Sequence, residues 1–431
     1  MSKYKNTIYA LSTPTGKSAI AVIRISGSES LEVLKKISSI KKTIPNKTNL
    51  TFLKFKKQII DQVIINYFKQ PKSFTGEEMV EIYCHGSTAI ISKISETLEF
   101  LGLRLAEPGE FTRRSLMNDK IDLLQTEGLS DLINAETEKQ RSLAMTSLSG
   151  ELSLFVQEIN KKLSSILANT EALIDFSDED LPKNILSKVL EQNKNIIKRI
   201  ELEINNAKIS KPIRDGFVVS IIGKPNTGKS SFINHISKRE VSIVTDIPGT
   251  TTDIVTSVID IDGYKLTFVD TAGLRKHKNT IEEMGIKKTK KIILKSNLSL
   301  VFLEKNEINK YKNIENKIFI RSKLDKKRAK TKEKNIIKIS SFTGQGVSRL
   351  LNKIKQKLII SQKNEPILSR ERHINTMKKV LLELKSIKSK DSLDIQAFKY
   401  REALRLSLEI NQKFDIEDIL DIIFRDFCIG K

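Results

Sequence analysis

Short apolar runs separated by Gly and Pro residues characterise the first part of the chain. Three of these runs are typical of β-strands, and helix-like segments lie near residues 29–39 and 87–102. The runs are AIAVIRIS, QVIINYF and MVEIYCHG. Residues 1–118 are therefore predicted to form a small α+β domain.

Helical spacing of apolar residues replaces this pattern from about residue 119 to 210. A polar segment, FSDEDLP at 176–182, interrupts the helices, and a helical pattern returns after about residue 356 and includes ILDIIF. Residues 119–210 and 356–431 are predicted to be two halves of one all-α domain. The apolar positions in the first half include Leu124, Leu129, Leu132, Ile133, Ile159, Leu163, Ile166 and Leu167.

Residues 211–355 alternate apolar strands with polar helices, as a parallel α/β sheet requires. The predicted strands are FVVSII, KLTFVD, LSLVFL, KIFIRS and NIIKIS. Because the two termini of a domain usually lie close together, an α/β domain can be inserted into a helical one. The sequence therefore predicts such an insertion.

The segment GKPNTGKS, from Gly223 to Ser230, fits the phosphate-loop pattern G-x-x-x-x-G-K-[ST]. It follows the apolar run FVVSII and precedes SFINHISK, which is the strand–loop–helix context that the motif needs. Its glycines let main-chain N–H groups face phosphate oxygens, Lys229 reaches the β- and γ-phosphates, and Ser230 ligates Mg²⁺. The predicted fold class is multidomain: an α+β N-terminal domain, an all-α domain in two halves, and an inserted α/β domain of the P-loop type.

Four further segments follow in the order that a GTPase needs: GTT, DTAG, SKLD and SSF. Thr251 completes the Mg²⁺ shell, Asp270 lies near the metal, and Asp325 pairs with the N1–H and amino group of guanine, which adenine lacks. The predicted GTP site comprises Asn226, Thr227, Gly228, Lys229, Ser230, Ser231, Thr245, Asp246, Ile247, Pro248, Gly249, Thr250, Thr251, Asp270, Thr271, Ala272, Gly273, Ser322, Lys323, Asp325, Ser340 and Ser341.

Two features depart from the usual pattern of such domains. Ser322 occupies the position of Asn in N-K-x-D, and a serine is shorter and offers one hydroxyl, so we expect weaker guanine binding with specificity retained. The stretch 304–316 between two predicted strands is short for a crossover helix, which indicates a trimmed domain.

The residue that orients the attacking water is not evident from the motif itself. Many GTPases have Gln after D-x-x-G, but this chain has Leu274. Glu282 and Glu283 are candidates, although spacing alone favours a solvated helix face. No arginine finger stands out, and a bound cation is the alternative source of positive charge.

Composition changes the picture little. The formal net charge of +23 is compatible with RNA binding, but Lys, Ile and Asn are abundant throughout, which indicates a general compositional bias. The two cysteines, Cys84 and Cys428, exclude a disulfide framework and a metal-ligand cluster. With no apolar run of about 20 residues and no secretory signal, we expect a cytoplasmic protein without a membrane span.

The motifs outside the P-loop domain carry a family resemblance that covers essentially the whole chain. They are TPTGKSAIAVIRISG, SFTGEEMVEIYCHG, AEPGEFTRRSLMNDKIDLLQTEGLSDLI and the ending FCIGK. In these segments the chain resembles the MnmE (TrmE) tRNA-modification GTPases. The resemblance implies a folate-binding N-terminal domain that drives homodimerisation, a split helical domain and an inserted GTPase domain.

The resemblance also implies a reaction. With the FAD-dependent partner MnmG (GidA), such proteins install a carboxymethylaminomethyl or aminomethyl group on C5 of the wobble uridine of certain tRNAs. The one-carbon unit comes from 5,10-methylene-tetrahydrofolate or a related folate. K⁺ stimulates GTP hydrolysis when two GTPase domains meet.

Individual residues carry over by their positions in the matching motifs. The resemblance implies that Asn226, with Thr245, Ile247 and Thr250, binds K⁺ where an arginine finger otherwise stands. It makes Glu282 the catalytic carboxylate and leaves Glu283 a surface residue. It assigns folate binding to Arg24, Glu81, Lys120 and Lys431, each of which has a surface salt bridge as the alternative. Cys428 is either a reactive thiol near the folate or a buried structural cysteine.

Two other functions compete with this interpretation. A ribosome-assembly GTPase calls for an RNA-binding module such as a KH domain, and no such sequence follows residue 355. A folate-binding scaffold with an inactive GTPase domain would account for Ser322 and the short 304–316 segment. The intact Lys229, Ser230 and Asp270 argue against the scaffold.

Overall fold

The computed structural model describes residues 6–40, 43–176, 184–239, 255–270, 293–304, 307–325, 335–359, 365–411 and 430. Its contacts divide the chain into two compact units. Unit 1 comprises Met1–Ser130, Ser147–Gln157 and Leu408–Lys431, and unit 2 comprises Asp131–Thr146 and Glu158–Ser407.

Unit 1 contains a six-stranded sheet in the order β3-β4-β5-β2-β1-β6. The pairs are antiparallel except that β1 and β6 run parallel. The strands are β1 Ile8–Leu11, β2 Ser18–Ser26, β3 Asn49–Phe55, β4 Gln58–Phe68, β5 Met79–Gly86 and β6 Arg104–Leu105.

Alternation along β2 explains how this sheet separates its core from its polar face. Ala21, Ile23 and Ile25 are buried in the main core of the unit, whereas Val22 and Arg24 point to the other face. The antiparallel register places Arg24 directly opposite Glu81 on β5. The strand pairing thus brings together two residues that are 57 positions apart in sequence.

Two helices of the N-terminal segment lie where the sequence predicts helical pieces, near residues 29–39 and 87–102. The helix α3, which begins at Glu110, is an additional helix of the segment predicted as α+β. The described helices are α1 Ser30–Ile37, α2 Thr88–Phe100, α3 Glu110–Met117, α4 Leu123–Ile133, α5 Glu138–Leu148, α6 Glu151–Asp175, α7 Ile185–Asn206, α8 Ser210–Asp215, α9 Lys229–Arg239, α10 Val347–Leu358, α11 Glu371–Ser386 and α12 Leu393–Glu409.

Unit 2 contains a second six-stranded sheet, in the order β12-β11-β10-β7-β9-β8. All five predicted strands are confirmed, and they pair in parallel. The strands are β7 Phe217–Gly223, β8 Val255–Ile261, β9 Tyr264–Asp270, β10 Leu298–Phe302, β11 Lys317–Arg321 and β12 Ile336–Lys338.

The prediction of a purely parallel sheet was wrong at one edge, because β8 pairs with β9 in antiparallel orientation. Asp262 and Gly263 connect the two strands, with φ of 54° and 81°. Positive φ at both central residues is what a two-residue hairpin requires, and an Asp-Gly pair is a strong signal for it. The connection between β10 and β11 contains a short 3₁₀ turn, Ile308–Tyr311, in the segment predicted to be trimmed.

Apolar packing and polar links both hold the helical part of unit 2 together. On α7, Val189, Ile196 and Ile200 are buried, and Asn193 donates an amide hydrogen bond to the carbonyl of Leu384 on α11 at 3.4 Å. Among the helices that the structure describes, we find none with the length and apolar character needed to cross a bilayer.

Candidate functional site

The polar motifs of unit 2 gather at one edge of its sheet. The carboxyl ends of parallel strands share an edge, and ligands of open α/β sheets bind there. The segment GKPNTGKS connects β7 to α9, Asp270 ends β9, Ser322 follows β11, and Ser340 follows β12. The structure therefore brings together the parts of the predicted GTP site that it describes.

The lysine of the phosphate loop donates hydrogen bonds to main-chain carbonyls of the same loop. Lys229 is 4% exposed, and its ammonium donates to the carbonyls of Gly223 at 3.0 Å and Lys224 at 2.6 Å. The hydroxyl of Thr227 also donates to Lys224, at 2.8 Å. Gly228 has φ of 90°, a conformation that favours glycine. These bonds fix the loop that begins α9, whose N-terminus favours an anion.

Ser230 and Asp270 form the candidate Mg²⁺ position. The Ser230 hydroxyl donates to Asp270 Oδ2 at 3.2 Å, and Asp270 is 3% exposed at the end of β9. A hydroxyl beside a carboxylate is an oxygen donor set of the kind that Mg²⁺ prefers, so these residues fit the metal. Across the described ranges, no group of three or more His, Cys, Asp and Glu could hold a metal by itself.

The candidate base pocket follows β11 and β12. The hydroxyl of Ser340, which is fully buried, donates to Asp325 Oδ1 at 2.8 Å. Ser322 donates its hydroxyl to the carbonyl of Thr227, and Lys323 Nζ donates to the carbonyl of Asn226 at 2.7 Å. Ser341 is half-buried, and its hydroxyl has no hydrogen-bond partner in the structure.

One contact of the phosphate loop was missed by the sequence interpretation. Lys224 Nζ donates to Glu307 Oε1 at 2.5 Å, and this bond raises the pKa of Lys224. Glu307 lies in the segment predicted to be trimmed, and Lys310 also donates to it, at 3.2 Å. Nothing in local sequence pairs Lys224 with a residue 83 positions away.

Several predicted site residues lie outside the described residues, and the structure makes no statement about them. They are Thr245, Asp246, Ile247, Pro248, Gly249, Thr250, Thr251, Thr271, Ala272, Gly273, Glu282, Cys428 and Lys431. The described Asn226 is exposed in the loop with φ of 61°, and Ser231 is exposed in the first turn of α9.

A second polar cluster lies on the sheet of unit 1. Arg24 donates from Nε and Nη2 to Glu81 Oε1, at 2.9 and 2.7 Å. The Tyr83 hydroxyl donates to Glu81 Oε2 at 2.6 Å. Burial and then the bond to Glu81 raise the pKa of Tyr83 to about 12, so the phenol is a donor at neutral pH. Tyr83 was missed, although residues at i and i+2 of a strand share a face.

Aromatic rings and a loop surround this arginine. The Arg24 guanidinium lies 5.7 Å from the Phe74 ring centroid and 5.8 Å from that of Phe111. A Cβ built on Gly76 would lie 3.2 Å from Cδ of Lys120, so this lysine packs on the same loop as Phe74. The carbonyl of Gly430 accepts from Ser12 Oγ at 2.9 Å and from Arg24 Nη1 at 3.4 Å.

The chemistry of these residues fits a folate. A pterin presents a donor edge to which a carboxylate such as Glu81, held by Arg24, can bind, and a glutamate tail needs a cation such as Lys120. The structure brings Arg24 and Glu81 into contact and places Lys120 on the neighbouring loop. Gly430, the residue before Lys431, lies against Arg24.

Two family models match the chain. The model described as "GTP-binding protein TrmE N-terminus" matches residues 7–120, and "MnmE helical domain" matches residues 123–428.

Curated relatives match along their full length. "tRNA modification GTPase MnmE" of Orientia tsutsugamushi is 36% identical and covers 99% of both chains. The protein of that name from Pelagibacter ubique is 37% identical over 99% of this chain and 100% of its own. Among solved structures, the G domain of the T. maritima FeoB iron transporter covers 33% of this chain and 98% of its own at 21% identity, with a TM-score of 0.26. The fold described above rests on strand order and not on that likeness.

Proposed function

The chain belongs to the tRNA modification GTPase MnmE family, and we propose that it is a potassium-stimulated GTPase acting on the wobble uridine of certain tRNAs. With an FAD-dependent partner of the MnmG (GidA) type, it would add a carboxymethylaminomethyl or aminomethyl group to C5 of that base. The proposed site of action is the cytoplasm, where tRNA is modified. The alternative of a ribosome-assembly GTPase has no support in the family matches.

The main support for GTPase activity is the hydrogen bond that links the phosphate loop to Asp270. Ser230 Oγ lies 3.2 Å from Asp270 Oδ2, and Lys229 follows the loop whose carbonyls hold its ammonium. With nucleotide bound, Lys229 would move its three donors to the β- and γ-phosphates. Ser230 would ligate Mg²⁺, and Thr251 would complete its shell.

Guanine recognition is assigned to Asp325. Its carboxylate would accept from N1–H and from the amino group, and the Ser340 bond at 2.8 Å orients it before the base arrives. The remaining GTP contacts are proposed for the residues of the five motif segments. Preorganised partners of this kind reduce the entropy that binding must overcome.

Hydrolysis is proposed to depend on K⁺ and Glu282. Asn226, Thr245, Ile247 and Thr250 would hold the cation, which would offset charge on the transferring phosphoryl group. Glu282 would orient the attacking water, because Leu274 has no polar group to do so. The resemblance supports both assignments.

Folate binding is proposed for Arg24, Glu81, Lys120 and Lys431. When bound, the folate supplies the one-carbon unit. Glu81, bonded to Arg24, would accept from the pterin, and the lysines would pair with the glutamate tail at the other end of the folate. Cys428 is a candidate reactive thiol beside this site. A homodimer through the N-terminal domain and a complex with the FAD-dependent partner complete the proposal.

The domain division is part of the proposal. We assign residues 1–118 to folate binding and dimerisation, 211–355 to the GTPase domain, and 119–210 with 356–431 to the two halves of the helical domain. The α/β elements run from the start of β7 at Phe217 to the end of α10 at Leu358, which supports bounds of about 211 and 355 for the inserted domain.

The decisive test compares GTP hydrolysis in KCl and NaCl at equal ionic strength for the full chain, Glu282→Ala and Glu283→Ala. We expect fast turnover only in KCl, loss of it in Glu282→Ala, and retention in Glu283→Ala. Equal rates in both salts would refute the cation mechanism. Slow turnover that is indifferent to the cation in all three would favour the folate-binding scaffold instead.

A further inference from the structure

Ser322 is bonded to the phosphate loop. Its hydroxyl donates to the carbonyl of Thr227, 95 positions earlier in the sequence. A Cβ built on Gly228 would lie 2.7 Å from Ser322 Oγ, so the hydroxyl rests against this glycine. A serine hydroxyl carries one proton. That proton is therefore committed to the phosphate loop.

Lys323 makes a second bond of the same kind. Its ammonium donates to the carbonyl of Asn226 at 2.7 Å, and its backbone has φ of 63°, in the left-handed region. Two consecutive residues after β11 thus bind two consecutive carbonyls of the phosphate loop. The role of Ser322 and Lys323 is to hold that loop in place.

Guanine has two hydrogen-bonding edges that a protein can recognise. The N1–H and amino group are donors, which suit the carboxylate of Asp325. N7, on the imidazole edge, is an acceptor and needs a donor. An asparagine at position 322 has two amide protons and can serve the loop and the base together, whereas the proton of Ser322 is already used.

We propose that this pocket recognises guanine at its Watson–Crick edge through Asp325 and makes no side-chain contact with N7 through residue 322. The substrate class that follows is any nucleotide with the 2-amino-6-oxo edge, whether or not it carries N7. This inference rests on the proposed binding of guanine nucleotides at Asp325.

The test measures dissociation constants of GDP and 7-deaza-GDP, in which a C–H replaces N7, by calorimetry with the full chain. We expect the two constants of the unaltered protein to agree within about twofold. Ser322→Asn supplies an amide proton for N7, so it should bind GDP about fivefold more tightly than 7-deaza-GDP, the effect of one hydrogen bond. Ser322→Ala should weaken both nucleotides equally, because only the bond to Thr227 is lost.

Each outcome decides a separate question. A preference of the unaltered protein for GDP of more than about twofold would overturn the inference, as would a Ser322→Asn protein without any preference. If Ser322→Asn does not fold, judged by thermal unfolding, the unaltered protein and Ser322→Ala decide. Asp325→Asn should exchange GDP for xanthosine diphosphate. Failure of the unaltered protein to bind GDP at all would refute the proposed function itself.

Discussion

The hydroxyl of Ser340 donates to Asp325 Oδ1 at 2.8 Å, although the two residues follow different strands. Because β11 and β12 are parallel neighbours, the segments after them meet at the same edge of the sheet. Ser340 is fully buried, so this bond is shielded from water. The carboxylate proposed to recognise guanine is therefore held by the next segment of the nucleotide site.

Removal of this bond should weaken guanine binding. Ser340→Ala removes one donor to Asp325, and we expect the dissociation constant of GDP to rise about three- to tenfold, the effect of one hydrogen bond. Calorimetric titration measures this change. Ser348→Ala, at an exposed position of α10, is the matched control and should leave the constant unchanged. Equal constants for Ser340→Ala and the unaltered protein would contradict the orienting role.

A buried charge cluster in unit 1 should make the protein sensitive to the loss of one of its partners. Arg114, 2% exposed, donates to Glu110 Oε1 at 3.0 Å and to Glu77 Oε2 at 2.9 Å, and Glu110 is 1% exposed. Removal of one partner leaves a buried charge partly uncompensated. Glu110→Gln should therefore lower the free energy of unfolding by about 3 kcal/mol. Glu96→Gln, which breaks an exposed pair with Lys93, should cost less than about 1 kcal/mol in denaturant titration.

At low pH, the free energies of unfolding of Glu110→Gln and of the unaltered protein should become similar. Burial raises the pKa of Glu110, but bonds from Arg104, the Glu107 N–H and Arg114 outweigh burial and hold the pKa below its ordinary 4.5. A carboxyl with a lowered folded-state pKa stabilises the protein above its unfolded pKa and loses that effect as pH falls through the folded value. Unfolding measured between pH 7 and pH 3 should show the gap narrowing below about pH 4.5. If the difference in free energy of unfolding stayed constant with pH, the charge of Glu110 would not contribute to stability.

The nucleotide site could be predicted from sequence largely because four of its five motifs, GKPNTGKS, DTAG, SKLD and SSF, lie at the ends of apolar strands. The apolar runs fix the strands, and parallel strands bring their carboxyl ends together whatever the loops contain. The antiparallel strand β8 was missed, although Asp262 and Gly263 are the hairpin signal that would have found it. The bond between Ser322 and Thr227 has no local signal, because it depends on the packing of distant segments.

In unit 1, sequence predicted the long strands and missed the others. The strand β6, Arg104–Leu105, is too short to have a pattern, and β3 exposes Leu50 and Phe52, so its alternation is blurred. The pairing of Arg24 with Glu81 follows from the register of β2 and β5. Register depends on the packing of the whole sheet. The family resemblance assigned both residues to folate binding but did not predict that they are in contact.

Burial should protect the thiol of Cys84 from alkylation. Burial, followed by the nearby Asp61 carboxylate, raises the pKa of Cys84 to about 11, and the side chain is 2% exposed. Since the thiolate is the reactive form, Cys84 in a Cys428→Ser protein should resist iodoacetamide at pH 8 and react after unfolding in urea. Mass spectrometry counts the alkylated thiols. Alkylation of folded Cys428→Ser at the rate of a free thiol would contradict the burial of Cys84.

Gly430 offers a test of the folate site that does not depend on catalysis. It has φ of 100°, its carbonyl accepts from Ser12 and Arg24, and a Cβ there would overlap the carbonyl oxygen of Leu11. Gly430→Ala should displace the carbonyl of this residue from Arg24. We expect the affinity for tetrahydrofolate to fall by about tenfold or more, since a charge-assisted contact is lost.

The matched control for Gly430→Ala is Gly102→Ala. Gly102 also has a left-handed backbone, with φ of 91°, but a Cβ there would meet nothing within 4 Å. Both variants carry similar backbone strain, and only Gly430→Ala creates an overlap, so any difference in tetrahydrofolate binding reports the seating of residue 430. Fluorescence titration should show affinity retained in Gly102→Ala and reduced in Gly430→Ala. Unchanged affinity in Gly430→Ala would separate Lys431 from the folate site and leave Arg24, Glu81 and Lys120 as its proposed ligands.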